Sequence, residues 1–178
     1  FQLGELPNDY QPVLSHTRRY RLQDSPYIYT NGIHGAYVEV DVDTGWIRHL
    51  KHWVVEDCGR IINPQLADEQ IRGGAVQGLG GALYEHCIYD DYGQLQNGTM
   101  ADYVTPMAFE MPDIEVGHVE TPTSESELGA KGAGESGTGA APGVMMNAVN
   151  DAIKPLTSGR VKEQPITPEI VLKALGKI

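Results

Sequence analysis

The sequence predicts an α+β domain. Strand-like and helix-like stretches follow one another in mixed order, without the regular βαβ alternation of a parallel α/β sheet. Two turn-linked, alternating stretches read as antiparallel hairpins. Between them lies a long helical stretch loaded with glycine, and a short helix closes the chain. The 178 residues suit one domain, and a hydrophobic share of 40% is enough for a core. Residues 1–29 read as an irregular lead-in and 30–178 as the domain proper.

In the lead-in, Pro7, Pro12 and Pro26 break any long element. Ser15 to Leu22 alternates enough to be one strand. His34 to Val42 alternates with period two, and Asp43-Thr44-Gly45 supplies turn chemistry. Trp46 to Val55 returns with β-branched and aromatic residues, completing the first hairpin. Asn63 then caps a helix whose first residue is Pro64. That helix is expected over 65–88 and carries Gly73, Gly74, Gly78, Gly80 and Gly81. Each interior glycine costs roughly 0.5–1 kcal/mol relative to alanine, so packing must hold it. Close backbone approach, to a neighbouring element or to a ligand, is what glycine offers in return.

A second hairpin is expected from Ile88-Tyr89 through Asp90–Gly93 to Gln94-Leu95-Gln96. Residues 97–112 read as loop and 113–120 as a strand. Residues 128–143 are glycine-rich, and a helical period through 144–153 places a helix over Ser136–Ile153, with Pro155 beyond its end. Thr167-Pro168-Glu169 opens a last helix through Leu175, stopped by Gly176. Glycine reaches 21 of 178 residues, against an average of about 7%.

Thirteen Lys and Arg stand against 24 Asp and Glu, a net charge of −11. Such a chain is poorly suited to nucleic acid or to an anionic membrane surface. No apolar run reaches the roughly 18 residues of a membrane span. The start at Phe1, without Met or a signal-peptide pattern, reads as a piece of something longer. Cys58 and Cys87 lack CxxC spacing and read as reduced, fitting a cytoplasmic setting.

Six histidines are present, without HExxH spacing. His49 and His52, three apart on an expected strand, should face opposite sides, so no metal site is expected. Asp41-Val42-Asp43 opens like a calcium loop but has His52 where the closing acid belongs. Asn97-Gly98-Thr99 fits a glycosylation acceptor, which means little without a secretory signal. Residues 132–137 match GxGxxG, yet no buried strand precedes them, which argues against a dinucleotide fold. Glu135 in that stretch has bare glycine neighbours at the start of the Ser136–Ile153 helix. A carboxylate so placed suits a general base. It equally suits a first-turn acid that complements the helix dipole.

Three segments decide between these readings. They are Asp57-Cys58-Gly59-Arg60-Ile61-Ile62-Asn63-Pro64, Gln70-Ile71-Arg72-Gly73-Gly74-Ala75-Val76-Gln77-Gly78-Leu79-Gly80, and Gly129-Ala130-Lys131-Gly132-Ala133-Gly134-Glu135-Ser136-Gly137. In this order and spacing the chain resembles the C-terminal part of the molybdenum hydroxylase large subunit, from about residue 30 to 175. That is the xanthine dehydrogenase and aldehyde oxidase family, and the branch with aerobic carbon monoxide dehydrogenase looks nearest. The resemblance implies oxidation of a carbon centre (an aldehyde, an N-heterocycle or CO) with oxygen taken from water. It assigns the general base to Glu135 and the pterin contact to Gln70. Gln77, Lys131, Gly132 and Gly134 are carried over as further cofactor-binding positions. It implies a molybdenum cofactor in the molybdopterin cytosine dinucleotide form, with partners supplying the rest of the molybdopterin subunit, iron–sulfur clusters and a flavin. The family's upstream cofactor-binding segments are missing from this sequence. The chain by itself is therefore expected to be incomplete and inactive. The competing expectation is an assembly module that keeps the fold without the cofactor.

Overall fold

A computed structural model describes residues 15–20 and 27–178. A three-stranded sheet is backed by two long helices. Strand β1 (Asn31–Val40) and strand β2 (Ile47–Asp57) form the expected hairpin, and β3 (Ile114–His118) joins β2 in parallel, giving the order β1-β2-β3. The hairpin turn is built by Asp41, whose Oδ1 accepts from the backbone N–H of Asp43 at 2.9 Å and of Thr44 at 3.1 Å. Gly45 completes it at φ +74°, a left-handed conformation that disfavours a side chain. The strand expected from Ser15 to Leu22 is absent over Ser15–Tyr20, while Arg21 and Leu22 lie outside the described residues. That stretch is held by an exposed Arg18–Glu127 ion pair.

Helix α1 (Pro64–Leu83) begins as the sequence predicts. Asn63 caps it by accepting from Leu66 N at 3.2 Å, and Pro64 occupies the first turn. It ends five residues before the expected Ile88. Tyr84 N and Glu85 N both turn back to Gly80 O at 2.9 Å, and the following segment is captured by tertiary bonds. Tyr103 Oη donates to Glu85, and Asn97 bonds the backbone of both His86 and Ile88. The second hairpin shrinks to a single Tyr89–Leu95 bridge around a turn organised by Asp90. The 97–112 loop contains one short 3-10 turn, Ala108–Glu110.

Helix α2 spans Ser136–Ile153 and helix α3 spans Pro168–Ala174. The buried stripe of α2 is Gly137, Ala141, Met145, Val149 and Ile153, a strict four-residue spacing along one face. Its lower half packs with Leu79, Ala82, Val161, Ile166 and Val171 into the main core, against which Val38, Val40 and Ile47 of the sheet also lie. A second cluster of Val54, Cys58, Ile71, Ala75 and Ile114 joins α1 to the sheet.

Two of the five α1 glycines explain how the helices meet. A Cβ on Gly78 would stand 2.6 Å from Thr138 O and 2.8 Å from Ala141 Cβ, and one on Gly74 would stand 3.2 Å from Gly137 Cα. The helices touch backbone to backbone there. Among the described residues nothing lies within 4 Å of such an atom on Gly73 or Gly81, so packing against them does not account for these two glycines.

The sheet departs from the sequence reading in one place. The register passes from Tyr37↔Lys51 to Val38↔His49, leaving Leu50 without an opposite residue. This bulge advances β2 by one residue, and a one-residue slip moves every following side chain to the other face. His49 and His52 therefore share a face and touch, His52 Nδ1 lying 3.3 Å from His49 Nε2. The expectation that they face opposite sides is corrected: it assumed an unbroken period of two.

Candidate functional site

The site is built where the end of β2 meets the glycine-rich loop before α2. Gly59, at φ +65°, forms a bridge with Ala130, Arg60 N donates to Gly129 O at 3.0 Å, and Lys131 N donates to Cys58 O at 2.7 Å. The close approach requires the glycines, since a Cβ on Gly59 would fall on the carbonyl oxygen of Gly129.

A side-chain brace locks the same junction. Asp57 Oδ1 accepts from Gly59 N at 2.9 Å and from Thr121 N at 3.1 Å. Its Oδ2 accepts from the Thr121 hydroxyl and from Lys131 Nζ at 3.0 Å. Lys131 Nζ also donates to Thr121 Oγ1 at 2.6 Å. The Asp57 carboxyl is held far below the usual carboxylate range, first by the Thr121 hydroxyl, then by the N–H groups of Thr121 and Gly59 and by Lys131. Lys131, carried over by the family resemblance as a cofactor-binding position, directs its ammonium to the brace.

Beyond Lys131 the loop is pinned by Gly132 N, which donates to Ile28 O at 3.0 Å. It then reaches Glu135, the N-cap residue of α2. The Glu135 side chain makes no capping bond and is exposed. Its backbone carbonyl accepts from Thr138 N at 3.1 Å, so the residue is fixed at the helix start while its carboxylate stays available. The carboxylate stands at the positive end of the α2 dipole.

Gln70 connects the two glycine segments. Its Nε2 donates to Gly134 O at 2.6 Å, so the α1 amide holds the residue immediately before Glu135. Thr138 Oγ1 ties α2 to Gly74 O of the same helix at 3.1 Å. Along α1, Gln70, Gly73, Gln77 and Gly81 fall at successive spacings of three and four and are all exposed. They make one open stripe: two amides two turns apart, separated and flanked by bare backbone. Gly134 likewise has nothing among the described residues within 4 Å of an added Cβ.

This donor set fits a pterin. An amide side chain donates and accepts at once, matching the mixed edge of such a heterocycle, and the bare glycines leave room for it to lie close. The structure places Gln70 and Glu135 at one junction and sets Gln77 further along the stripe. Among the described residues no group of three or more His, Cys, Asp and Glu is placed to hold a metal ion, and no helix is long and apolar enough to cross a membrane. Sequence reasoning passed over the Asp57 and Thr121 brace. The only signal was that Asp57 opens a motif whose other members were already of interest.

Known proteins are similar to this chain in sequence and fold. The family described as Molybdopterin cofactor-binding domain matches residues 5–112. The nicotine 6-hydroxylase large subunit of Paenarthrobacter nicotinovorans is 43% identical over 94% of this chain and 20% of its own length. The carbon monoxide dehydrogenase large chain of Afipia carboxidovorans is 31% identical over 88% of this chain and 19% of its own. The crystal structure of quinoline 2-oxidoreductase from Pseudomonas putida 86 superposes with a TM-score of 0.79 at 42% identity, covering 83% of this chain and 19% of that one. The chain thus spans about a fifth of the length of the relatives it matches. With its three-stranded sheet and glycine-lined helix pair, the chain belongs to the molybdopterin cofactor-binding family of the molybdenum hydroxylases.

Proposed function

We propose that this chain is the part of a molybdenum hydroxylase large subunit that carries the general base, with Glu135 in that role. The observation that carries the reading is the 2.6 Å bond from Gln70 Nε2 to Gly134 O. It joins the two motifs at the residue next to the carboxylate, so the amide that would touch the pterin and the base that would serve the reaction are held to each other.

Gln70 and Gln77 would hold the cofactor with their amides, while Gly73, Gly81 and Gly134 admit it. Gly132 and Lys131 serve by shaping the loop. When bound, the molybdenum cofactor supplies two-electron oxidation of a carbon centre with oxygen from water. Glu135 takes up the proton at a carboxylate oxygen, which is where a positioned base contributes roughly 10²–10⁴-fold. The Asp57–Lys131–Thr121 brace and the Gln70 bond fix the backbone that carries Glu135, which lowers the cost of positioning it at each turnover. The substrate class is an aldehyde, an N-heterocycle or CO, and the cofactor is the cytosine dinucleotide form. The remaining molybdopterin subunit, iron–sulfur clusters and a flavin are the partners. Its two unpaired cysteines fit a cytoplasmic setting. The activity belongs to this chain joined to the rest of the subunit, and the chain alone is expected to be inactive.

The test is Glu135→Gln in the assembled enzyme. Turnover should fall by roughly 10²-fold or more, with molybdenum content unchanged. A Gln variant of near-normal rate would remove the base assignment. An assembled, folded complex that never holds molybdenum would favour an assembly module instead.

A further inference from the structure

Strand β3 makes side-chain ties that the proposed reaction leaves without a part. His118, the last residue of β3, sets its Nε2 2.6 Å from Asp68 Oδ1 on α1. A carboxylate oxygen can only accept, so Nε2 carries the hydrogen and donates to a charged acceptor. The other ring nitrogen, Nδ1, is buried and has no partner among the described residues, so the bond to Asp68 is what orients the ring. One helical turn on, Arg72 Nε donates to the carbonyl of Ile114, the first residue of β3, at 3.1 Å. The two ends of the strand thus grip one turn of α1, at positions four residues apart on one face. Between them, Ile71 packs with Ile114 in the second core cluster.

Gln70 sits inside that turn, two residues from Asp68 and two from Arg72. At about 100° per residue it lies on the far side of the helix from both. The strand therefore holds the turn from one side while the Gln70 amide bonds Gly134 O from the other. The residues after His118 hold the second half of the same site. Val119 N donates to Glu56 O at 2.9 Å. The N–H and the hydroxyl of Thr121 both donate to Asp57, the acid that binds Lys131 of the Glu135 loop. The short segment 118–121 thus reaches both the helix of Gln70 and the brace of the Glu135 loop.

We propose that His118 is a positioning residue for this site. Bonded to Asp68, it keeps the Gln70 amide in register with Gly134 O, so that the α1 stripe and the Glu135 loop are set against each other as one wall. It acts through Asp68 and the backbone of α1. The 118–121 segment carries the setting from one half of the site to the other. Its importance for cofactor loading rests on the hydroxylase reading. The coupling of His118 to Gln70 does not.

Nitrogen-15 NMR of the full chain, read at the Gln70 side chain, tests it. The Nε2 hydrogen bonded to Gly134 O should resonate downfield of its twin. His118→Leu and Asp68→Ala should each remove most of that displacement. The double variant should lose no more than either single one, because both remove the same bond. His118→Gln, whose amide can donate to Asp68, should restore the signal. The backbone amides of Met145 and Val149 in the main core should stay in place throughout. Asp68→Ala changes a partly exposed position to a better helix former, so it serves if His118→Leu does not fold. An unmoved Gln70 signal, additive losses, or equal movement of the core amides would overturn the assignment. In the assembled enzyme, His118→Leu should load less molybdenum and His118→Gln should load it normally. Equal loading in both variants and the unmutated enzyme would overturn the link to the cofactor site. Absence of molybdenum from the unmutated enzyme would instead count against the hydroxylase reading and leave the Gln70 result standing.

Discussion

Gly73→Ala and Gly78→Ala place the same substitution inside the same helix, five residues apart, and should have opposite effects. Both replace an interior helical glycine by alanine, a gain of roughly 0.5–1 kcal/mol. At Gly73 nothing among the described residues lies within 4 Å of the new atom, so the gain stands. At Gly78 the new Cβ meets Thr138 O at 2.6 Å, Ala141 Cβ at 2.8 Å and Pro142 Cδ at 3.2 Å. The first of these is backbone and the third a proline ring, neither of which can rotate away. Overpacking of this kind costs about 1–3 kcal/mol. Propensity cancels in the comparison, so the two variants should differ by about 1–3 kcal/mol. With a urea dependence of about 2 kcal/mol/M, their unfolding midpoints should lie about 0.5–1.5 M apart. The assay is urea unfolding of the purified chain, followed by molybdenum analysis of each variant in the assembled enzyme. Gly73→Ala should be the more stable chain and yet load less molybdenum, because it roughens the stripe shared with Gln70 and Gln77. Equal midpoints would refute the backbone-to-backbone account of the helix pair. Full loading of Gly73→Ala would refute the open stripe as a cofactor face.

Other outcomes follow from the brace and the buried rings. Burial holds His49 down to about 4 and His52 to about 3. Both take up protons more readily unfolded than folded, so their neutral burial stabilises the chain fully above about pH 6.5. Stability should fall from there toward pH 4, by up to about 1.4 kcal/mol per pH unit for each ring. Urea midpoints at pH 7 and pH 5 read this out, and a flat profile would contradict it. Asp57, Glu115 and Glu169 are all held below their ordinary range, so their contribution begins to be lost only as pH falls into that ordinary range near 4, and the comparison of pH 7 with pH 5 reads mainly the two rings. Lys131→Met should leave the fold intact but free residues 129–135 from the strand end. Amide exchange there should quicken, and turnover of the assembled enzyme should fall by on the order of 10²-fold through misplacement of Glu135. Unchanged exchange would show that the backbone bridge suffices without the brace.

What could be read from the sequence was what local chemistry decides. The hairpin, the Asn63-Pro64 start, the span of α2 and the Thr167-Pro168 start of α3 each carry their own signal. The end of α1 does not, because Asn97 and Tyr103 capture the chain from distant positions. Nor does the pairing of β3, whose parallel partner is 62 residues away in sequence. The contact of His49 with His52 stayed hidden for one reason: nothing in His49-Leu50-Lys51-His52 announces a bulge. Glu135 and Gln70 were legible as motif positions. Their junction through Gly134 O, and the engagement of Lys131 by Asp57, depend on tertiary geometry alone.

The most direct test of the central claim is elemental analysis of molybdenum in the complex purified with its native partners, comparing the unmutated chain with Gln70→Ala. The account predicts molybdenum at about one atom per chain in the first and a clear loss in the second, with the complex still assembled and folded. Equal molybdenum in both, or none in either, would contradict the assignment of the α1 stripe and the Glu135 loop as a wall of the cofactor site.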